Sequence, residues 1–581
     1  MCSHHTADPQ RNWMETLAVA PASETEPQSY AGALARAAAR PNRAAARRSW
    51  TSGRIVQKVR ASERVSAGRA CYDRARVCAL QGDLSGAVSA YEAAVTFSPD
   101  FAEAHGNLGN VYLDSGRRYD ALRAYAAAIR AKPDLAPVYC NLATVLIDMQ
   151  RYDEAIAAAE TALRLAPDFY EAYVSLCQAY RCGGRFLEAL APALRATDLR
   201  PDRDAYVYLG AAAFNLDALD IALDANRRAL ELDAACAAAH CNLGAVYLVT
   251  GCYTEATAAC ATAIALRPDF AGAHVNLALS LLVCGDFARG WNEYVWRWRI
   301  PARRAQYRAL DRATIWDGEP FSGRQLLITA DQGFGDAIQM VRYLPAVKAR
   351  GGRVILEASA ALVSLFTDLA GVDELRVLSD VAVVADDADL HLPLLGLPRA
   401  FGTDLTSIPA PIPYLRAQPE RVERWRSRLQ SPARLRVGIV WAGNPNHEND
   451  RRRSVRLEDF AALGGIDDIA WFGLQKERDE EFRSSGSFML DPLGAEIGDF
   501  ADSAAILTQL DLVIAVDTAI IHLAGAMGMP VWTLLPFAPD WRWLLGRADS
   551  PWYPTMRLFR QPAAGDWASV FADVARELRS F

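Results

Sequence analysis

Two short tracts in the second half of the chain carry residue types suited to holding an anion. In Asp331-Gln-Gly-Phe-Gly-Asp336, two glycines precede an acid at the start of a helical pattern. Glycine lets a backbone come close to a bound group, while the acid has a plain local use as an N-cap carboxylate. In Asp517-Thr-Ala-Ile-Ile-His-Leu-Ala524, Asp517 and Thr518 close an apolar run and open a helix. Free amide N–H groups at such a point face a phosphate. His522, one turn on, either hydrogen-bonds that phosphate or packs on the helix face. A third tract, Trp441-Ala-Gly-Asn-Pro-Asn-His447, includes Asn444 and leads to Arg451, Arg452 and Arg453. Of these, Arg453 is the candidate for bidentate phosphate binding, against a solvated charge run. Gln475 and Lys476 follow another apolar run. Trp541, Trp543 and Trp552 either stack a base or sugar or are buried against the terminal helix.

These tracts need strands and helices to place them. Residues 325–330 form a short apolar run, followed by the glycine loop and by residues 337–344 at helical spacing. Further strands are expected at 353–357, 382–385 and 390–392. After the connector Pro409-Ala-Pro-Ile-Pro413, a second series begins with 435–441, 469–474, 512–516 and 531–535. Strands alternating with helices predict two parallel-sheet domains, which bind ligands beyond the carboxyl ends of their strands.

The first half is built differently. All 11 Cys lie between Cys2 and Cys284, whereas 12 of the 14 Trp lie between Trp291 and Trp567, placing a seam near 290–320. Pro99, Pro133, Pro167 and Pro201 recur every 34 residues, and Pro268 follows after 67. Leu108, Leu142, Leu176, Leu209, Leu243 and Leu277 follow them, with Ala87, Ala121, Ala155, Ala189, Ala222 and Ala256 in a second phase. This array resembles the tetratricopeptide repeat over about six and a half units, which implies helical hairpins stacked into a superhelix with a peptide-receiving groove. His105, His240 and His274 stand three residues before the repeat Leu and are read as core residues. The Cys spacings match no zinc pattern.

The repeats are also similar to those of the O-GlcNAc transferases. That resemblance implies that Asn107, Asn141, Asn242 and Asn276, each just before a repeat Leu, form a ladder that holds an extended peptide backbone. An amide offers both donor and acceptor; the same Asn side chains also have a local use in satisfying neighbouring backbone or water.

From Gly285 onward, the motifs Gly285-Asp-Phe-Ala-Arg-Gly-Trp291, Trp316-Asp-Gly-Glu-Pro320, Asp331-Gln-Gly-Phe-Gly-Asp336, Val440-Trp-Ala-Gly-Asn-Pro445, Asp450-Arg-Arg-Arg-Ser454 and Asp517-Thr-Ala-Ile-Ile-His-Leu-Ala524 occur in order. Together they resemble bacterial proteins that join tetratricopeptide repeats to a heptosyltransferase-like glycosyltransferase domain. The fold class implied is α + α/β, a repeat superhelix followed by a two-lobed GT-B domain of twin Rossmann-like lobes. By the same resemblance, Asp336 is the catalytic base, and Gly335, Asn444, Arg453, Gln475, Lys476, Asp517, Thr518 and His522 bind a nucleotide sugar. The chain departs from that family at Ala519, where the pattern has glycine, and in lacking a Lys between residues 436 and 455.

The boundaries expected are a disordered tail at 1–66, repeats at 67–300, a linker at 301–321, an acceptor-side lobe at 322–415, a linker at 416–433, a nucleotide-sugar lobe at 434–565 and a helix at 566–581 that crosses back onto the first lobe. The function implied is a metal-independent transferase with a protein or peptide acceptor, a nucleotide sugar as donor substrate and no cofactor. Two alternatives stay open: an envelope-glycan acceptor, or a non-catalytic repeat adaptor. A formal charge of −7 excludes a dedicated nucleic-acid binder. The uncharged runs 234–254 and 518–539 contain glycines or prolines and are not read as membrane spans. With no secretory signal pattern, the cytoplasm is the expected compartment.

Overall fold

The computed structural model describes residues 53–300, 314–330, 332–378, 388–409, 411–445, 447, 449–476 and 489–581, with side chains from residue 63 onward. Residues 1–52 of the expected tail, 301–313 of the expected linker, Asp331 and the expected strand at 382–385 lie outside the described residues. The chain divides into two compact units at Asn242 and Leu243, inside the helix Ala237–Val249. No helix among the described residues is long and apolar enough to cross a membrane.

In the first unit, the helix Gly53–Leu80 packs against Leu84–Phe97, so residues 53–66 are helical and do not belong to a disordered tail. From Leu84 to Leu232, helices of 14 and 13 residues alternate. The turns inside the hairpins place Gly82, Gly116, Gln150, Gly184 and Asp217 at positive φ, a conformation for which glycine has no steric cost. The last interval is one residue short because the helix Arg203–Asn215 starts two residues after Pro201, whereas its counterparts start three after Pro99, Pro133 and Pro167. There Asp202 becomes the N-cap and accepts from the Ala205 N–H at 2.9 Å. Phe101, Leu135 and Phe169 at the other starts make no side-chain cap. A carboxylate cap worth about 1 kcal/mol accompanies the shortened turn.

Packing within a hairpin pairs a small residue with its partner 16 positions on. A Cβ on Gly109 would lie 2.4 Å from the Tyr125 ring, and one on Gly210 would lie 2.2 Å from the Asn226 amide. Where the partner is small, as at Ala159, the first position is Ala143, and both are fully buried. His105 and His240 are half-buried, which corrects the core reading for these two. Their Nε2 atoms lie 2.9 and 3.0 Å from the carbonyls of Pro99 and Ala234. Tyr173, at the same repeat position, donates to Pro167 O. In these hairpins the position ties the helix to the turn that precedes it.

From Leu243 the second unit takes in the end of the helix Ala237–Val249 and then the last repeat helices, Tyr253–Leu266, Ala271–Val283 and Phe287–Tyr294. Here His274 is buried and stacks on Trp296 with ring centroids 3.9 Å apart. Two parallel sheets follow. The first contains β1 (Thr314–Ile315), β2 (Gln325–Thr329), β3 (Arg353–Ala358), β4 (Glu374–Val377) and β5 (Leu390–Pro393), in the order β1-β5-β2-β3-β4. The second contains β6 (Leu435–Val440), β7 (Ile469–Gly473), β8 (Asp491–Pro492), β9 (Leu512–Val516), β10 (Val531–Leu535) and β11 (Met556–Arg560), in the order β11-β10-β9-β6-β7-β8. Thr314 pairs with Leu390, so the first lobe starts at β1 and not at residue 322. The expected linker at 416–433 holds a helix, Pro419–Arg428, whose Arg421 is ion-paired with Asp499 and Asp502.

One apolar core joins Phe287, Trp291 and Tyr294 of the last repeat to Trp316 and Tyr343 of the first lobe and to Trp541 and Trp552 of the second. The Trp291 indole N–H donates to Thr403 O at 3.1 Å. The seam expected near 290–320 is therefore no boundary between compact units, because Trp291 on its near side and Trp316, Trp541 and Trp552 beyond it lie in one shared core. Trp541, Trp543 and Trp552 are at most 2% exposed, so they stack no ligand. Trp541 packs on Trp291, at 5.0 Å between centroids, and not on the terminal helix. That helix, Trp567–Leu578, covers the second sheet, with Phe571 against Phe460. This corrects the expectation that it crosses back onto the first lobe.

Candidate functional site

Parallel strands deliver their following loops to one side, and the carboxyl ends of β2, β9 and β10 supply three loops that meet. After β2, Gly333 starts the helix Phe334–Met340 and has no side chain to cap it. The Asp336 Oδ2 accepts the Gly333 N–H at 2.9 Å instead. The other carboxylate oxygen of Asp336 accepts from the Arg542 guanidinium. Arg542 follows β10 and also donates to Asp540 Oδ1 at 2.9 Å and Gln339 Oε1 at 2.6 Å. One buried guanidinium thus binds a carboxylate from each lobe. The side chains of Asp336 and Asp540 keep 22% and 32% of their surface exposed, so a ligand can reach both.

After β9, Asp517 is buried and its Oδ2 accepts from the Trp543 indole N–H at 2.8 Å. Burial, reinforced by the like charge of Asp540, pushes the Asp517 carboxyl up to about 6. Thr518 is the N-cap of the helix Ala519–Ala526, in extended conformation and with no side-chain cap bond. Its Oγ1 is buried without a partner among the described residues. An uncapped helix start beside an unpartnered hydroxyl is an arrangement an anion would complete.

His522 lies on the first turns of that helix. Its Nε2 is 3.9 Å from Asp517 Oδ1, its Nδ1 is 3.0 Å from the Tyr553 hydroxyl, and its ring stacks on Trp543. Burial, with Arg542, Arg342 and Arg453 nearby, holds this imidazole well below its usual pKa, so it is neutral. Gly335 brings the first lobe against this group: a Cβ there would lie 2.7 Å from His522 Cδ2.

Arg453 is mostly buried, with Nε 3.3 Å from Asp450 Oδ1. Its guanidinium lies beneath Gly443, where a Cβ would be 2.5 Å away. Its charge acts on both Asp517 and His522. Asn444 stands exposed in the loop after β6. The remaining two nucleotide-sugar candidates have other partners. The Gln475 Oε1 accepts the Ala442 N–H at 3.1 Å, bracing that same loop, and the Lys476 ammonium donates to Ile497 O at 2.8 Å.

The structure thus brings together Gly335, Asp336, Arg453, Asp517, Thr518 and His522. Sequence reasoning missed Arg542, Asp540 and Tyr553. Arg542 sits between two tryptophans that drew attention as stacking rings, and the lone Tyr553 carries no motif. Among the described residues, no group of three or more His, Cys, Asp or Glu has the arrangement to hold a metal.

In the first unit, the Asn amides face neighbouring helices. Asn107 donates to the Tyr72 hydroxyl at 3.0 Å, Asn141 to Asn110 Oδ1 at 2.8 Å and Asn242 to Asn226 Oδ1 at 3.0 Å. Asn242 and, in the second unit, Asn276 are buried. These three amides are thus bonded to side chains of neighbouring helices, and Asn242 also donates to the Val207 carbonyl at 3.5 Å.

Tetratricopeptide-repeat family models match residues 75–116, 102–135 and 140–204, so the chain contains these repeats. Protein FlbA of Caulobacter vibrioides is 27% identical over 339 residues, covering 54% of this chain and 56% of the relative. The chain spans about half the length of that curated relative. Among solved structures, a tetratricopeptide repeat protein from Parabacteroides merdae is 15% identical, covering 39% of this chain and 91% of its own, with a TM-score of 0.36. A thermophilic repeat protein from Thermus thermophilus is 23% identical, covering 31% and 99%, with a TM-score of 0.28.

Proposed function

We propose that the two-sheet region is a nucleotide-sugar-dependent glycosyltransferase of GT-B type and that the repeats recruit a protein or peptide acceptor. The observation that carries the reading is the start of the helix Ala519–Ala526. Its buried Thr518 hydroxyl lacks a partner among the described residues, neutral His522 lies on its first turns, and Arg453 bears on it. This combination suits the diphosphate of a nucleotide sugar: amide N–H groups, a guanidinium and an imidazole N–H stabilise the charge that develops as the sugar leaves. In this reading, Asp336 takes the proton of the acceptor hydroxyl as its oxygen bonds to the anomeric carbon and the bond to the diphosphate breaks. Arg542 orients that carboxylate.

A specific observation favours a second reading, the non-catalytic adaptor. Both oxygens of Asp336 already have partners, in Gly333 N–H and Arg542. A melting-temperature screen against nucleotide sugars, followed by assays for donor hydrolysis and for sugar transfer to protein, separates the two. A shift with one sugar nucleotide and slow hydrolysis support the transferase; no shift with any of them supports the adaptor. Binding without protein transfer points to a glycan acceptor.

A further inference from the structure

The His522 imidazole has one face of hydrogen bonding turned inward and one turned toward Asp517. Inward, Nδ1 lies 3.0 Å from the Tyr553 hydroxyl. Outward, Nε2 lies 3.9 Å from Asp517 Oδ1, at the N-terminal end of the helix that Thr518 opens. A neutral imidazole carries one proton, and which nitrogen holds it decides whether the outward side is a donor or an acceptor.

The groups behind His522 resolve that choice. The Tyr414 hydroxyl donates to Ile338 O at 3.0 Å and accepts from Arg342 at 3.2 Å, so its proton is spent. Burial raises Tyr553 well above the usual phenol range, which keeps its proton in place as a donor. That single proton has two acceptors within reach, Tyr414 Oη and His522 Nδ1. Donation to Tyr414 would turn a bare Nε2 lone pair toward the Asp517 carboxylate, which is repulsive. Donation to Nδ1 turns an N–H toward it, which is attractive. The position of Tyr553 is itself built in, since the ring crosses Gly525 where a Cβ would lie 2.5 Å from its Cγ.

We infer that Tyr553 is a positioning residue that fixes His522 as the Nε2–H tautomer, so that the imidazole presents a hydrogen-bond donor to a diphosphate at the start of the helix Ala519–Ala526. The tautomer follows from the geometry of the chain alone; its use on a diphosphate rests on the transferase reading. Because His522 is neutral, it donates one hydrogen bond without bringing a charge. Charge neutralisation then falls to Arg453 and the helix start.

The test is nitrogen-15 NMR of the full chain labelled at histidine, with the His522 resonances assigned by comparison with His522→Gln. The wild type is expected to show a protonated Nε2 and a bare Nδ1 at neutral pH. Tyr553→Phe, which keeps the ring over Gly525, is expected to give a mixture of tautomers and to weaken nucleoside diphosphate binding about 3- to 10-fold. The probes are UDP, GDP, ADP and CDP, measured by calorimetry. A wild-type spectrum with the proton on Nδ1 overturns the inference whatever the variant does, as does an unchanged tautomer in a folded Tyr553→Phe. If the wild type shows the Nε2–H tautomer but none of the four diphosphates binds, the tautomer assignment stands and the transferase reading fails.

Discussion

At the residue scale, the consequential groups are three carboxylates, the buried Asp517 and the partly exposed Asp336 and Asp540 that share Arg542. Asp517 has a native pKa near 6, above its ordinary 3.8. A carboxyl raised in this way binds its proton more tightly when folded, so the contribution it makes is fully present below pH 4 and is lost as pH rises through 6. Asp517→Asn, which still accepts from Trp543, is expected to be more stable than the wild type at pH 7.5 by up to about 3 kcal/mol. The gain in melting temperature should shrink toward pH 4; an equal gain at both values removes the desolvation argument. Arg542→Met leaves Asp336 and Asp540 facing each other with no guanidinium between them. It is expected to cost about 1–3 kcal/mol in urea unfolding, because the two carboxylates keep part of their surface in water. Under the transferase reading, Asp336→Asn retains nucleotide-sugar binding but lowers turnover about a hundredfold, measurable in single-turnover assays. Asp336 and Asp517 were legible in the sequence because each stands between an apolar strand and a helix, and His522 because it follows on the helix that Thr518 opens. Arg542 and Tyr553 were not, since what assigns them is a partner more than 200 residues away for the first and 31 for the second.

At the element scale, glycines set how closely helices approach. Gly335→Ala places a methyl 2.7 Å from His522 Cδ2 and must push the helix Phe334–Met340 off Ala519–Ala526. A loss of about 1–3 kcal/mol is expected. In the repeats, Gly109→Ala meets the Tyr125 ring, and a similar loss is expected. The double change Gly109→Ala with Tyr125→Ala recreates the pair that Ala143 and Ala159 already form. It should therefore unfold at a denaturant concentration above the value expected from adding the two single losses. The repeat period was legible because helix length and turn recur in a single phase. The shortened turn after Pro201 was legible only as an interval of 67; the Asp202 cap that accommodates it depends on which backbone N–H its side chain reaches. The parallel sheets followed from alternating apolar runs, whereas β1, β4, β8 and β11 escaped notice; β1 and β8, at two residues each, carry no periodicity.

At the scale of the whole molecule, the division falls inside the repeats and not where composition changes. A chain of residues 243–581 keeps Phe287, Trp291 and Tyr294 in the core they share with Trp316, Trp541 and Trp552. It is expected to fold and to melt cooperatively. A chain of residues 301–581 loses those three rings and exposes the tryptophans they covered, each loss being on the order of 3–5 kcal/mol. Insolubility or a melting temperature lowered by well over 10 °C is expected; equal melting temperatures for the two pieces would contradict the shared core. That core also governs how the chain can be recombined. A foreign repeat array grafted at residue 300 would arrive without the aromatic plug that the sheets require, whereas one spliced near residue 242 leaves the plug in place. The exchangeable segment is therefore shorter than the repeat array itself, and the final repeats are inherited with the sheets as part of their foundation.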